Sequence, residues 1–481
     1  MKLAKVIIGR KTEQEILQTM LDSKQPELVA VYGRRRVGKT FLIRQFFSDH
    51  LVFSCSGQLN SSTTQQLFNF TEQLQFFFPD ARPFIIPGDW QQAFARLWHS
   101  LSTLETKTKK VIFFDELPWL DTHKSGFLAA FDYFWNMHTS TRNDLIVVIC
   151  GSAASWIIKK VVNNKGGLHN RITQRIRLLP FNLQETDAYL QHRNIKLNHY
   201  QLLQLYMMLG GIPHYLNAVK RGKSVAQIIE EICFSKDGML HEEFDNLYAA
   251  LFSSAEKHIQ VIQALARKNK AITRNELLET GKLSTGGGIS TVLEELEESG
   301  FIEKLYPLDH KVKDGLYRLI DEFSLFYMRF MRGGKIQNGQ WLSQMEAPAY
   351  RTWCGYAFEN VCIKHVQQIK VALGIAAVQA SVISWQARGK EDNAGAQVDM
   401  LIDRRDQTIN ICEMKFSTTE FTIEKKYASE LENKLNVFRR ETQTKKTLLL
   451  TLITTYGIKD NTYKQQLVDN EISMDVLFEK R

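Results

Sequence analysis

The stretch VAVYGRRRVGKTFLI, residues 29–43, decides the fold of the first part of the chain. A β-branched apolar run leads into a Gly-x-x-x-x-Gly-Lys-Thr loop, and an apolar, helix-like segment follows. Glycines at both ends, Gly33 and Gly38, let backbone N–H groups turn inward around phosphate oxygens. Lys39 offers a cation to the outer phosphates, and the Thr40 hydroxyl offers a ligand to Mg²⁺. The stretch therefore predicts a nucleotide-binding phosphate loop rather than a glycine-rich turn.

Length and composition bound the number of domains and the class of partner. At about 150 residues per domain, a chain of 481 residues predicts roughly three domains. The hydrophobic content of 44% and the charged content of 23% are typical of globular protein. The formal net charge of +9 is compatible with nucleic acid, and the basic excess is largest over residues 141–180, where seven Lys and Arg face one acid, Asp144. DNA is therefore a candidate partner.

Cysteine usage and hydropathy bear on the compartment. Six cysteines lie singly in mostly apolar surroundings, without a Cys-x-x-Cys pair. This distribution predicts buried reduced thiols rather than disulfides or a zinc site. The N-terminus lacks the apolar core of a signal peptide, and no apolar run approaches the roughly 18 residues of a membrane span. We therefore expect a cytoplasmic protein without a membrane partner.

A second motif adds acidic residues to the phosphate loop. Residues 111–116, VIFFDE, predict a buried strand that ends in Asp115 and Glu116. Such a strand holds Asp115 near Mg²⁺, while Glu116 can polarise the attacking water. A further strand, residues 145–150, leads to Ser152, whose hydroxyl could contact the γ-phosphate or the lytic water, or could cap a helix.

The order of these motifs resembles the archaeal-type ATPases of the AAA+/STAND superfamily. The resemblance spans roughly residues 1–245 and rests on the Ile-Gly-Arg opening, the phosphate loop, Phe-Asp-Glu, Cys-Gly-Ser, Asn170-Arg171 and residues 210–216, GGIPHYL. It implies a P-loop sheet followed by a helical lid, with Pro213 packing near the adenine. It also implies a homo-oligomer in which Arg171 is an arginine finger, although a structural or phosphate-binding arginine is an equal alternative.

The opening turn of the chain is a further candidate nucleotide contact. Gly9 and Arg10 lie ahead of the first predicted strand, and the Thr-x-x-Glu box at residues 12–15 that follows them predicts the start of a helix. A turn in that position is well placed to touch the nucleotide base.

The middle of the chain predicts a winged helix-turn-helix. Residues 255–266, 276–279 and 289–300 have helical patterns, and residues 301–305 and 315–319 predict a hairpin. Modules of this kind commonly read DNA. The third helix, however, carries four carboxylates that would repel phosphate: Glu294, Glu295, Glu297 and Glu298. We therefore favour a protein-facing or interdomain role, with a protein partner as a candidate.

The last third of the chain carries a second catalytic pattern. A long helix over residues 350–373 contains Glu359, and two predicted strands carry Asp399 and the triplet Glu413-Met414-Lys415. Strand alternation puts Glu413 and Lys415 on one face of the sheet. Carboxylates that hold Mg²⁺, and a lysine that orients or deprotonates water, are what metal-assisted phosphodiester cleavage requires.

This series resembles the PD-(D/E)xK nuclease superfamily. The resemblance implies Asp399 and Glu413 as ligands of Mg²⁺ or Mn²⁺, Lys415 as the catalytic lysine, and Glu359 as a helper carboxylate that contacts the metal through water. Val398 stands where proline is common in that superfamily. The alternative is a nuclease fold retained as a binding platform, with its carboxylates in ordinary ion pairs.

The expected fold class is α/β and multidomain. A P-loop AAA+/STAND-like ATPase core is expected over residues 1–183, a helical lid over 184–250, a winged helix over 251–332, and a PD-(D/E)xK nuclease-like α/β domain over 340–481, after a linker at 332–339.

The expected function is ATP binding and hydrolysis, with Mg²⁺ at the ATPase site, coupled to metal-dependent DNA endonuclease activity. The nucleotide state or assembly would control cleavage. A regulatory STAND-type NTPase whose C-terminal domain only binds nucleic acid or protein is the alternative. A third reading is a motor that remodels DNA and tracks it with the basic stretch at residues 141–180.

Overall fold

The computed structural model describes most of the chain and divides it into two compact units. The first unit comprises Met1–Pro180 with Glu294–Gly300, and the second comprises Phe181–Leu293 with Phe301–Arg481. The described residues are 6–80, 84–105, 107–162, 171–252, 254–268, 270–284, 286, 288–305, 315–333, 339–345, 347–387 and 395–479.

A parallel β-sheet organises the first unit. Its strands are β1 Glu27–Tyr32, β2 Leu51–Ser56, β3 Lys110–Asp115, β4 Leu145–Gly151 and β5 Gln174–Arg177, in the order β2-β3-β4-β1-β5. The accompanying helices are α1 Lys11–Asp22, α2 Lys39–Phe46, α3 Thr63–Phe77, α4 Trp90–Ser102, α5 Leu117–Leu120, α6 Phe127–Met137 and α7 Ala154–Ile157. A 3₁₀ turn, Thr139–Thr141, and a π-helical turn, Ile158–Val162, complete the unit.

The order of the strands determines where the polar residues at their carboxyl ends meet. Strands β3 and β4 are buried along their whole length, as the unbroken apolar runs at residues 111–114 and 145–150 predict for strands covered on both faces. Strand β4 pairs in parallel with both β1 and β3. The carboxyl ends of all three strands therefore lie at one edge of the sheet, where ligands of open parallel sheets bind.

The second unit begins with a run of helices. These are α8 Leu183–His192, α9 His199–Leu209, α10 Pro213–Leu216, α11 Val225–Ile229 and α12 Glu243–Leu251, with a π-helical turn at Glu230–Phe234. Three of them begin with capping boxes, at Asn182, Asn198 and Ser224. In each box the cap side chain accepts a hydrogen bond from the backbone N–H three residues later, and the side chain of that later residue accepts one from the backbone N–H of the cap.

The helices and hairpin expected in the middle of the chain are present among the described residues. They are α13 Ala255–Lys268, β6 Ile272–Thr273, α14 Arg274–Gly281, α15 Gly288–Glu298, β7 Ile302–Leu305 and β8 Leu316–Leu319. The strands form an antiparallel sheet in the order β6-β8-β7. The role of this module, facing protein rather than DNA, stays a prediction.

A mixed sheet forms the last part of the second unit. Its strands are β9 Ala380–Ala387, β10 Ala396–Arg404, β11 Thr408–Lys415, β12 Thr447–Thr454 and β13 Asn470–Ser473. Their order is β13-β12-β11-β10-β9, with antiparallel pairing from β9 to β11 and parallel pairing from β11 to β13. The helices of this region are α16 Glu322–Phe326, α17 Gln340–Gln344, α18 Pro348–Lys364, α19 Val366–Ala372, α20 Lys425–Thr442 and α21 Thr462–Leu467, with a π-helical turn at Tyr327–Met331 and a 3₁₀ turn at Met474–Phe478.

Helix α20 covers one face of this sheet. Leu431 and Phe438 of the helix are fully buried and belong to the same core as Ile409 and Ile411 of β11. Because side chains alternate along a strand, the next odd-numbered residues of β11, Glu413 and Lys415, point to the α20 side as well.

The long helix expected over residues 350–373 is interrupted, and this prediction was wrong in that respect. His365 leaves the helical conformation, with φ −104° and ψ 22°, between α18 and α19. Its Nε2 accepts a hydrogen bond of 3.0 Å from the Leu183 N–H, and its Nδ1 lies 2.8 Å from the Val361 carbonyl oxygen. The imidazole at the break is buried and binds the first turn of α8. No pattern in the sequence around His365 predicts this contact.

Several other expectations from the sequence can be compared with the structure. All six cysteines are free and buried. Among the described residues, no helix combines the length and apolarity needed to cross a membrane. The aromatic residues Phe323 and Phe326 are fully buried. Asn170 and most of the linker expected at residues 332–339 lie outside the described residues. The four domain boundaries stay a prediction.

A substitution at Gly33 tests how closely the phosphate loop packs against the chain that follows β5. A Cβ on Gly33 would lie 2.3 Å from the Leu178 carbonyl oxygen, and φ is +146°. We expect Gly33→Ala to lower the free energy of unfolding of the first unit by about 1–3 kcal/mol, the usual cost of overpacking, and to weaken ATP binding. Thermal unfolding and nucleotide titration measure both effects.

The control for this substitution is Gly88→Ala in the same unit. A Cβ there meets Gln92 Nε2 at 3.4 Å, an ordinary contact with a flexible side chain. Gly33→Ala that unfolds and binds ATP as the wild type does would contradict this account of the loop.

Candidate functional site

The phosphate loop joins β1 to α2 and is held by its own lysine. Gly38 caps α2 with φ 93°, a conformation that favours glycine. Lys39 is 6% exposed, and its Nζ donates hydrogen bonds of 2.9 Å to the carbonyl oxygens of both Gly33 and Arg34. The ammonium group is thereby held at the loop, where a nucleotide's outer phosphates would lie.

The loop hydroxyl meets the first acidic residue of β3. Thr40 Oγ1 donates a hydrogen bond of 2.7 Å to Asp115 Oδ2, and Asp115 is only 5% exposed. Mg²⁺ prefers oxygen ligands and is commonly bound by a few protein oxygens together with substrate phosphates. Two oxygen atoms at this distance, beside a phosphate loop, fit that preference. These are the two residues that would hold the cation.

Glu116 is held by Ser152, a contact that sequence reasoning did not foresee. Glu116 Oε2 accepts hydrogen bonds from the Ser152 backbone N–H at 3.0 Å and from the Ser152 hydroxyl at 2.9 Å. Glu116 itself has φ 45° and ψ 48°, a left-handed conformation uncommon for a residue other than glycine. Strain of this kind concentrates at functional sites, and here it turns the carboxylate toward the end of β4.

Arg10 supports the loop from the opening turn. Its Nη2 donates to the Val37 carbonyl oxygen at 3.1 Å, and the side chain is 5% exposed. Gly9 precedes it with φ 67°, and the Gly9 carbonyl accepts from Gln14 Nε2 at 2.7 Å. Arg10 also lies 3.8 Å from the Glu13 carboxylate, and contact of this turn with the base stays a prediction.

The second site lies on β10 and β11. These strands pair antiparallel, with Met400 opposite Cys412, and Asp399 and Glu413 are the next residue along each strand. Burial raises the pKa of Glu413, the Lys434 ammonium opposes that rise, and the Asp399 carboxylate adds to it. The two expected metal ligands are therefore neighbours.

Two side chains of α20 complete the surroundings of Glu413. Lys434 Nζ lies 2.6 Å from Glu413 Oε1, and the Tyr427 hydroxyl donates to Glu413 Oε2 at 3.3 Å. Lys415 Nζ lies 4.6 Å from the centroid of the Tyr427 ring. Contact of both Glu413 and Lys415 with Tyr427 confirms that the two residues share one face of the sheet.

Glu359 reaches the same group of charges from α18. Its Oε2 lies 3.4 Å from Arg318 Nη2, and Arg318 is 3% exposed. Arg318, Glu359 and Asp399 line one pocket, and Asp399 and Lys434 line another. Burial chiefly, with the Asp399 charge adding and Arg318 opposing, raises the pKa of Glu359 to about 8.

The carboxylates suit a divalent cation that brings most of its own ligands. In the described part of the chain, no cluster of three or more His, Cys, Asp or Glu side chains is arranged to hold a metal ion. Mg²⁺, however, is commonly bound through one or two carboxylates together with water and substrate phosphates. Asp399 and Glu413 fit that limited requirement.

Comparison with known families bears on the first site. Residues 8–219 match the sequence profile of a family described as an ATPase domain predominantly from Archaea. Residues 8–219 are therefore similar to the ATPase domains of that family. The match contains the loop, Asp115, Glu116 and Ser152, and it ends after Pro213.

Two proteins of Methanocaldococcus jannaschii are similar to the chain. An uncharacterized protein is 23% identical over 392 residues, which cover 80% of this chain and 83% of that protein. An uncharacterized ATP-binding protein is 41% identical over 47 residues, which cover 10% of this chain and 80% of that protein. The first similarity is longer than the ATPase domain, so it extends into the region that follows.

A solved structure, the Walker-type ATPase of Pyrococcus abyssi, is also similar. The comparison gives a TM-score of 0.49 with 17% sequence identity, and it covers 67% of this chain and 96% of that one.

Two residues implied by family resemblance lie outside the contacts described above. Arg171 is exposed in a turn three residues before β5. Pro213 is the first residue of α10, within the second unit. Their roles as arginine finger and adenine contact stay predictions.

Lys434, Tyr427 and Arg318 were missed by sequence reasoning, although Lys434 left a signal. Positions 427, 431, 434 and 438 form one stripe of α20, because residues spaced by three and four share a helix face. Leu431 and Phe438 of that stripe are fully buried. A lysine between two core residues indicates a buried carboxylate partner.

Glu359 gives the metal-free protein a defined pH dependence. Because its pKa is raised from 4.5 to about 8, the folded protein retains a proton that the unfolded chain has released in that window. The contribution of Glu359 to the free energy of unfolding therefore falls as pH rises from about 4.5 to 8. Glu359→Gln carries no such proton, so its Tm relative to wild type should increase across this window in EDTA.

Thermal unfolding at several pH values measures this difference. The control is Glu432→Gln on the exposed side of α20, where burial cannot generate the effect. A Glu359→Gln difference that stays constant between pH 5 and 8.5 would show that the folded protein does not hold this proton.

Proposed function

We propose that this protein is an ATPase whose C-terminal domain is a metal-dependent DNA endonuclease, with the nucleotide state or assembly controlling cleavage. The observation that carries the proposal is the juxtaposition of Asp399 and Glu413 on neighbouring strands, with Lys415 on the same face. An acidic pair beside a lysine is the donor set that phosphodiester hydrolysis uses. The net charge of +9 is compatible with DNA as the substrate.

Each group of this site has a role in that chemistry. A divalent cation, when bound, supplies Lewis acidity toward the phosphoryl oxygen. Asp399 and Glu413 hold it, Lys415 orients or deprotonates the attacking water, and Glu359 supports it through water. Water adds to phosphorus, the bond to the leaving oxygen breaks, and the proton lost by water ends on the leaving oxygen or in solvent.

The ATPase site is proposed as the control input. Thr40 and Asp115 hold Mg²⁺ with the nucleotide, and Glu116 polarises water for attack on the γ-phosphate. Ser152 holds the Glu116 carboxylate through two hydrogen bonds. Arg171, exposed in a turn, is the proposed finger toward a neighbouring copy in a homo-oligomer.

Cleavage of supercoiled plasmid tests the nuclease. We expect nicking or linearisation with Mg²⁺ or Mn²⁺ that EDTA abolishes. Lys415→Ala should slow it by about 10²–10⁴-fold, the usual contribution of a positioned proton-transfer group. The matched control is Lys459→Ala, an exposed lysine of the same domain, which should cleave at the wild-type rate. Absence of cleavage under every condition, or cleavage unchanged in Lys415→Ala, overturns the nuclease proposal.

The regulatory NTPase is the second candidate, and a specific observation favours it. Glu413 is paired with Lys434 and Glu359 is paired with Arg318, which is how carboxylates behave on a retained binding platform. This candidate predicts Mg²⁺-dependent ATP turnover that Lys39→Ala and Glu116→Gln abolish, without metal-dependent cleavage. Assaying ATP turnover and plasmid cleavage on the same preparations separates the two functions.

A further inference from the structure

Lys434 stands where a cation is needed. Glu413 is 1% exposed, and its carboxylate has lost nearly all contact with water. A buried carboxylate without a compensating charge costs several kcal/mol of folding free energy. The Lys434 ammonium, 2.6 Å from Glu413 Oε1, supplies that charge when no metal is present.

Two carboxylates of the site already have cationic neighbours: Arg318 lies beside Glu359, and Lys434 lies beside Glu413. A divalent cation bound to Glu413 while Lys434 stays beside it would hold two like charges close together in a buried site, which is unfavourable. The arrangement therefore makes lysine and metal competitors for Glu413.

The Lys434 side chain is exposed enough to move away from Glu413. Its side chain is 23% exposed, whereas Glu413 is almost fully buried. It lines a pocket together with Asp399, Glu430 and Asn433. Its four-carbon stem is flexible, so the ammonium can exchange Glu413 for solvent or for an anionic group in that pocket.

We propose that Lys434 is the resident counter-cation of Glu413, and that a divalent cation binds only by displacing it. Lys434 thereby sets the concentration of divalent cation at which the site fills. This inference rests on the proposed nuclease site, because it needs Glu413 to be a metal ligand. It assigns Lys434 a role that opposes the cation rather than assisting it.

Mn²⁺ binding to the nucleotide-free protein tests the proposal. Isothermal titration calorimetry on Lys434→Gln should show Mn²⁺ binding tighter than wild type by about tenfold, within the usual range of coupling between two binding events. The Mn²⁺-induced rise in Tm should be larger in the variant too, since at a given concentration a ligand with a lower Kd stabilises the folded state more. Neither readout depends on cleavage.

The matched control is Lys446→Gln. Lys446 forms a comparable ion pair with Asp403 on the same strand as Asp399, at 2.5 Å and with 26% exposure, but away from Glu413. Its removal should leave the Mn²⁺ affinity unchanged. Should Lys434→Gln fail to fold, Lys434→Arg replaces it: a guanidinium pairs more strongly with a carboxylate, so Mn²⁺ should bind more weakly than to wild type.

Glu413→Gln separates failure of this inference from failure of the proposed function. If Glu413→Gln abolishes Mn²⁺ binding but Lys434→Gln binds no tighter than wild type, the displacement proposal is overturned and the metal site stands. If wild type and Glu413→Gln bind Mn²⁺ equally, Glu413 is not a ligand, and both the site and the inference are overturned.

Discussion

A carboxylate buried at the end of a β-strand must find a partner that offsets its lost hydration, and both candidate sites are built on this constraint. Asp115, 5% exposed at the end of β3, accepts the Thr40 hydroxyl of the phosphate loop. Glu413, 1% exposed near the end of β11, accepts hydrogen bonds from the Lys434 ammonium and the Tyr427 hydroxyl. In each case the partner comes from a different element, so the packing of elements against one another creates the site.

The order of the strands makes the first of these partnerships possible. Strand β4 separates β1 from β3, and parallel pairing brings all three carboxyl ends to one edge. Ser152 at the end of β4 consequently reaches Glu116 at the end of β3. The loop, its lysine and the two acids all lie within the segment that matches the archaeal ATPase-domain family. Their arrangement places groups suited to a nucleotide, a cation and water next to one another.

Local pattern predicted the parts of each site that lie in a single strand or turn. The phosphate loop follows from glycine spacing between a strand and a helix, and the shared face of Glu413 and Lys415 follows from strand alternation. Partners that come from elsewhere could not be derived in this way. The contact of Ser152 with Glu116, and that of Lys434 with Glu413, each depend on how separate elements pack together in the folded chain. Residue spacing carried a partial signal only for Lys434, on the buried stripe of α20.

The central claim is that the nucleotide state controls cleavage by the C-terminal domain. The most direct measurement is the rate of plasmid cleavage at fixed Mg²⁺ with ATP, with ADP and without nucleotide, in wild type and in Lys39→Ala. We predict that the wild-type rate changes with nucleotide, and that Lys39→Ala, which cannot hold the outer phosphates, cleaves at the nucleotide-free rate in all three conditions. Equal wild-type rates in all three conditions would contradict the claim.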